Sequence, residues 1–268
     1  MKPLARQDLI KKSRQKLQDF SFPRLVPNMV TILALCVGLS SIRFAMQGNV
    51  EYAVAAVLLA AFFDAMDGRL ARLLNVSSDF GAELDSLSDF ISFGVGPGLT
   101  LYILVMQKLG NLGWGLVLFF SVCMGLRLAR FNTMLRANPD KPKPDWQRKF
   151  FVGVPAPAGA MIAFMPLVAY LATGIETLLD PVFTASFMFV SGALMVSRLP
   201  TFSFKSHQIA RKHVLPFMVG AGLIIVTLVT EPWLTLMLSQ VAYLVSLPLS
   251  YRTFRRLRAL GGESAPKP

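Results

Sequence analysis

Two short stretches gather the residues best suited to chemistry. The first reads Phe62-Phe63-Asp64-Ala65-Met66-Asp67-Gly68-Arg69-Leu70-Ala71-Arg72, and the second Ser78-Asp79-Phe80-Gly81-Ala82-Glu83-Leu84-Asp85-Ser86-Leu87-Ser88-Asp89. Asp64 and Asp67 are three apart and Asp85 and Asp89 four apart, so on helices each pair projects from one face. Two such helices joined by a short turn bring the pairs together. Four clustered carboxylates repel one another unless divalent cations neutralise them. An oxygen-only donor set suits Mg2+ or Mn2+, whereas zinc favours His or Cys. Gly68 and Arg72 continue the Asp64 face, where a glycine admits a bulky ligand and a guanidinium forks onto phosphate oxygens. Together these residues fit a diphosphate substrate held with metal ions. A solvated helix–turn–helix with surface acids would account for two acids per helix. It would not account for the acids, glycines and arginine in one register.

The elements that carry these residues belong in a membrane. Of 268 residues 54% are hydrophobic and only 16% charged, with a mean hydropathy of +0.53. Soluble domains run to about 25% charged residues. This composition excludes a disordered chain, a fibrous repeat and a soluble enzyme with a large polar surface. Apolar stretches cover 28–46, 51–68, 84–106, 111–132, 153–173, 181–198, 214–230 and 232–249. At about 20 residues per crossing, they predict an all-α polytopic membrane bundle of about eight transmembrane helices. Carboxylates at the ends of such helices are costly and usually functional. The run Gly94-Val95-Gly96-Pro97-Gly98 follows no strand and reads as a helix break, not as a nucleotide-binding loop. Pro166 and Pro216 are expected to kink their helices.

Charge gives the orientation. There are 27 Lys and Arg against 15 Asp and Glu, a net +12. In a soluble protein that excess would point to nucleic acid. Here it falls in alternate segments: the N-terminus, Arg69/Arg72, Arg127 to Lys149, Arg198 to Lys212, and Arg252 to Lys267. The other set holds Arg43 and Lys108 with Glu51, Glu176, Asp180 and Glu231. The positive-inside rule then puts both termini and the carboxylate cluster on the cytoplasmic side of the cell (inner) membrane, and no nucleic-acid partner is expected. No cleavable secretory signal is evident. In residues 1–24, Leu9, Ile10, Leu17 and Phe20 fall at helical spacings. That segment reads either as a basic amphipathic helix at the membrane surface or as a basic tail. Cys36 and Cys123 read as small core hydrophobes, and His207 and His213 are too isolated for a metal cluster.

At the acidic stretches the chain resembles the CDP-alcohol phosphatidyltransferases. Their signature, Asp-x2-Asp-Gly-x2-Ala-Arg-x8-Gly-x3-Asp-x3-Asp, is met by Asp64, Asp67, Gly68, Ala71, Arg72, Gly81, Asp85 and Asp89. The resemblance implies an integral membrane enzyme, acting as a homodimer, that transfers phosphatidyl from CDP-diacylglycerol to an alcohol and releases CMP. It implies two divalent ions, Mg2+ or Mn2+. Asp64, Asp67 and Asp85 would serve one ion, and Asp64, Asp85 and Asp89 the other. Asp89 would also accept the proton of the attacking hydroxyl. Gly68, Arg72, Ser78 and Gly81 would contact CDP-diacylglycerol, as would Asn28 and Thr31 of Pro27-Asn28-x-x-Thr31. The organisation expected is a segment 1–24, a six-helix core 25–210, two additional helices in 211–250 and a basic tail 251–268.

The signature leaves the acceptor open. Leu126-Arg127-Leu128-Ala129-Arg130-Phe131-Asn132, Phe151-Val152-Gly153-Val154-Pro155-Ala156-Pro157-Ala158-Gly159-Ala160 and Met195-Val196-Ser197-Arg198-Leu199-Pro200-Thr201-Phe202-Ser203-Phe204-Lys205 resemble the branch of the family that uses L-serine. The expected product is then phosphatidylserine, with Arg127, Arg130 and Asn132 as candidate serine contacts. The two arginines also fit simple positive-inside anchoring. Glycerol 3-phosphate, held by Lys205 or Arg198, is the runner-up acceptor, ahead of choline or inositol phosphate. Choline would want an aromatic cage, and no Trp or Tyr cluster adjoins the signature. A transporter with ion-binding carboxylates is a distant alternative.

Overall fold

The computed structural model describes residues 22–76, 78–137, 150–202 and 214–261. Most of the expected N-terminal segment, the polar stretch 138–149, Lys205, His207, His213 and the end of the basic tail lie outside the described residues.

Every apolar stretch of the sequence carries helix. Helix α1 (Phe22–Met46) turns back through Gly48, at φ 75°, into α2 (Val50–Leu73). These two form the most extensive helix pair in the molecule. After a short turn come α3 (Asp79–Asp89), a π-helical turn (Phe90–Val95) and α4 (Gly96–Leu104), which together make one rod. Helix α5 (Asn111–Ala137) packs on α8 (Pro181–Val196). In sequence α6 (Ala156–Ala163) and α7 (Met165–Thr173) come between them, and α9 (Val214–Thr230) and α10 (Pro232–Gly261) follow. Among the described residues four segments are long and apolar enough to cross a membrane: Leu25–Met46, Asp79–Leu104, Asn111–Met134 and Pro232–Leu257. The bent pair α6–α7 makes a fifth if counted as one span. The protein is an integral membrane protein with an all-α body.

Three local expectations meet their test here. The glycine run at 94–98 does not break the rod: Gly94 and Val95 close the π turn, and Gly96, Pro97 and Gly98 open α4. The Gly96 N–H reaches five residues back to the Ile91 carbonyl, and Pro97 has no N–H to restore the ordinary ladder. The small residues also allow close packing, since a Cβ on Gly38 of α1 would stand 2.6 Å from the Ser92 Cβ. Pro166 does mark a bend. It cannot donate to the Ile162 carbonyl, and α6 and α7 meet at 53°. Pro216 sits in the first turn of α9, where a missing N–H costs no helical bond, and α9 continues unbroken to Thr230.

One feature has no periodic signal in the sequence. Strands β1 (Phe150–Val152) and β2 (Pro200–Phe202) pair antiparallel, with Phe150 opposite Phe202 and Val152 opposite Pro200. The core joins Val54 and Val57 of α2, Phe93 of the π turn, Phe120 and Met124 of α5, Phe164 at the bend between α6 and α7, and Leu167, Met188 and Met195 from later helices. Outward-facing Met29, Leu118, Leu223 and Val229 form an apolar surface suited to lipid.

Candidate active site

The site forms where α2 ends and α3 begins. The last turns of α2 carry Asp64, Asp67, Gly68 and Arg72. A tight turn follows, closed by Leu74 N–H to the Leu70 carbonyl at 2.9 Å and Val76 N–H to the Ala71 carbonyl at 3.0 Å. Ser78 then caps α3, its hydroxyl accepting from the Gly81 N–H at 3.0 Å. Such a cap satisfies a donor that a helix start otherwise leaves unpaired. This reversal aims Asp85 and Asp89 back at α2. One carboxylate oxygen each from Asp64, Asp67 and Asp85 lies within 4.8 Å of the others. Asp89 completes the group: its carboxyl stands against that of Asp64, and its Oδ1 is buried with no hydrogen-bond partner. The two sequence pairs therefore form one cluster.

Helix α1 braces this cluster. The Thr31 hydroxyl donates to Asp67 Oδ2 at 2.6 Å and lies 3.1 Å from the Pro27 carbonyl oxygen. The Ser88 hydroxyl donates to the Thr31 carbonyl at 3.2 Å, tying α3 to α1. Thr31 and Asp67 are only 4% and 5% exposed. Their bond spans 36 positions of chain, and no local pattern announces it. The sequence reading makes Thr31 a nucleotide contact; what the structure shows is its hydroxyl holding a carboxylate.

Asn28, Thr31, Asp67, Gly68, Ser78 and Gly81 are among the residues that line a cleft of about 170 Å³ beside the carboxylates. The two glycines differ. A Cβ at Gly68 would meet nothing within 4 Å, so that wall faces open space. A Cβ at Gly81 would stand 2.9 Å from Asn28 Oδ1 and 3.2 Å from Ser78 Oγ. Arg72 is exposed one turn beyond Gly68.

The three candidate acceptor contacts separate. Arg127 donates through Nε to the Val154 carbonyl at 2.7 Å. Its terminal nitrogens have no hydrogen-bond partner among the described residues, and Asp89 and Asp64 are its charge neighbours. Arg130 is occupied otherwise. Its guanidinium donates to the carbonyls of Val196 at 2.7 Å, Ser197 at 3.2 Å, Met195 at 3.4 Å and Val152 at 3.5 Å. It thus clamps the end of α8 onto β1. Asn132 donates to the Ser86 hydroxyl at 2.9 Å, linking α5 to α3.

The donor set fits a hard divalent cation: carboxylate oxygens only, on two helices, partly withdrawn from solvent. The orphaned Asp89 oxygen fits the same reading, because buried carboxylate oxygens seldom lack a partner.

Residues 24–201 match the family model described as CDP-alcohol phosphatidyltransferase, and residues 212–248 match one described as CDP-alcohol phosphatidyltransferase 2. The CDP-diacylglycerol–serine O-phosphatidyltransferase of Mycobacterium leprae is 34% identical over 236 residues, covering 88% of this chain and 77% of that protein. The protein of the same name from Helicobacter pylori strain 26695 is 34% identical over 186 residues, 68% of this chain and 73% of its own. Among solved structures, that of Mycobacterium tuberculosis phosphatidylinositol phosphate synthase with CDP-DAG bound aligns at a TM-score of 0.43. Its identity is 18%, with 75% of this chain and 97% of that one covered.

Proposed function

The chain belongs to the CDP-alcohol phosphatidyltransferase family, and on that premise we propose that it transfers the phosphatidyl group of CDP-diacylglycerol to the hydroxyl of L-serine, giving phosphatidylserine and CMP. The observation that carries this reading is the carboxylate cluster beside the open wall at Gly68, in a chain whose curated relatives are named for that reaction.

The residues divide the work as follows. Asp64, Asp67 and Asp85 would hold one divalent cation, Mg2+ or Mn2+, and Asp64, Asp85 and Asp89 a second. When bound there, such cations would supply neutralising charge for the diphosphate and the departing CMP. Asn28, Thr31, Gly68, Ser78 and Gly81 shape the cleft for the CDP group, and Arg72 reaches phosphate oxygens from its rim. Asp89 takes the proton of the serine hydroxyl as its oxygen attacks phosphorus in line. Its buried, unpartnered oxygen supports that assignment. Arg127 receives the serine carboxylate with its free terminal nitrogens, while Arg130 and Asn132 hold the walls in place. No covalent enzyme intermediate is needed.

The surrounding architecture follows from the same reading. Eight spans with both termini cytoplasmic place the site at the inner face of the cell membrane. Helix α2, 24 residues long, is long enough to cross, and α8 and α9 are shorter apolar helices. Residues 25–210 form the six-helix core, 211–250 add two helices, and the assembly is a homodimer, as the family resemblance implies.

The test uses membranes carrying the protein, CDP-diacylglycerol, Mn2+ or Mg2+, and either labelled serine or glycerol 3-phosphate. CMP release with serine is expected. Release only with glycerol 3-phosphate would overturn the acceptor, and no release with either would overturn the reaction.

A further inference from the structure

Asp89 Oδ1 is not the only orphan among the described residues. Gln240 Oε1 and the Tyr243 hydroxyl, both on α10, are also buried without a hydrogen-bond partner. Buried polar atoms are nearly always paired, and within a bilayer no bulk water makes up the lack. Gln240 is 6% exposed, and its Nε2 already donates to the Met161 carbonyl at 3.1 Å. Its free end is therefore the oxygen, which can only accept. Tyr243 lies three residues on, on the same helix face. Both line a cavity of about 270 Å³ between α10, α6 and α2, together with Leu58, Ala158 and Met161. Arg127 donates to the Val154 carbonyl just ahead of α6, the helix whose Ala158 and Met161 line this cavity, and so stands at the end of the cavity's wall.

The unpaired groups are complementary to one kind of molecule. Arg127 offers only donors, and Gln240 Oε1 and the Tyr243 oxygen offer acceptors. A zwitterion with an anionic and a cationic end satisfies both. We infer that α10 forms a wall of the acceptor site, where Tyr243, backed by Gln240, receives the α-ammonium of the amino-acid acceptor whose carboxylate lies on Arg127. The inference rests on the serine reading above and gives the helices beyond the six-helix core a task, that of selecting the acceptor. Glycerol 3-phosphate has no cationic end and would leave these acceptors unpaired, which is how a polar site rejects an analogue.

The experiment is steady-state CMP release by the purified full chain with Mn2+, comparing wild type, Tyr243→Phe and Gln240→Met. Tyr243→Phe should raise the KM for serine about tenfold, the size of a lost hydrogen bond to a charged group. The KM for CDP-diacylglycerol and the melting temperature should stay at wild-type values. Gln240→Met should move the serine KM in the same direction, and it decides the matter if the phenylalanine variant does not fold. An unchanged serine KM in the folded variants would overturn the inference, as would both KM values and the melting temperature shifting together. A wild-type protein that uses only glycerol 3-phosphate would instead overturn the acceptor reading on which the inference stands.

Discussion

Replacing Thr31 by valine isolates one atom. The branched shape is kept, so α1 still fills its place against α2, and only the hydroxyl that donates to Asp67 Oδ2 at 2.6 Å is lost. A hydrogen bond to a charged group contributes about 1.5–3 kcal/mol. At about 1.4 kcal/mol per factor of ten, that corresponds to about 10- to 150-fold. Groups that orient metal ligands typically cost about 10- to 100-fold in metal affinity or activity when removed. The expected outcome is therefore a Mn2+ concentration for half-maximal activity raised at least about tenfold. Thr31→Ser, which keeps the hydroxyl, should stay near wild type. The assay is CMP release titrated with Mn2+ at saturating CDP-diacylglycerol and serine. A valine variant with the wild-type Mn2+ curve would refute the idea that Thr31 positions Asp67. If only the KM for CDP-diacylglycerol rose, Thr31 would act solely as a nucleotide contact.

Three further outcomes follow from the same geometry. Gly68→Ala should fold with an unchanged melting temperature, since its Cβ meets nothing within 4 Å, yet bind CDP-diacylglycerol more weakly; Gly81→Ala should also displace Asn28, 2.9 Å from the new Cβ, and a titration of CDP-diacylglycerol binding checks both. Arg130→Ala leaves four carbonyls without their donor and should destabilise the protein by about 2–4 kcal/mol, seen in thermal inactivation; Arg130→Lys should not restore it, because an ammonium lacks the guanidinium fork. Asp85→Asn should abolish CMP release while preserving the fold, and chelation of divalent cations should silence the wild type reversibly; full turnover in either case would sink the cation reading.

The legible part of this protein is what periodicity and spacing govern. Apolar runs of about membrane length announced the helices, because each run must bury its own backbone polar groups within itself. The three- and four-residue spacings of Asp64, Asp67, Asp85 and Asp89 put each pair on one helix face whatever the tertiary fold. Charge asymmetry gave an expected orientation by the same local reasoning. The glycine run at 94–98 looks like a break in sequence because a π turn differs from a broken helix only in which carbonyl each N–H finds.

What the tertiary structure decided is which faces meet and which anonymous backbone groups stand opposite a side chain. Arg127 and Arg130 share one segment and one residue type. One retains free donors near Asp89, and the other spends its donors on Val152, Met195, Val196 and Ser197. Backbone carbonyls exist at every position, so no sequence pattern marks the few that will accept from Arg130. The partnership of Thr31 with Asp67 and the placement of Gln240 and Tyr243 in a cavity with Leu58, Ala158 and Met161 have the same cause. Both depend on how separate helices dock, and docking is set by the summed packing of residues such as Phe93, Phe120 and Met124, not by any short stretch of chain.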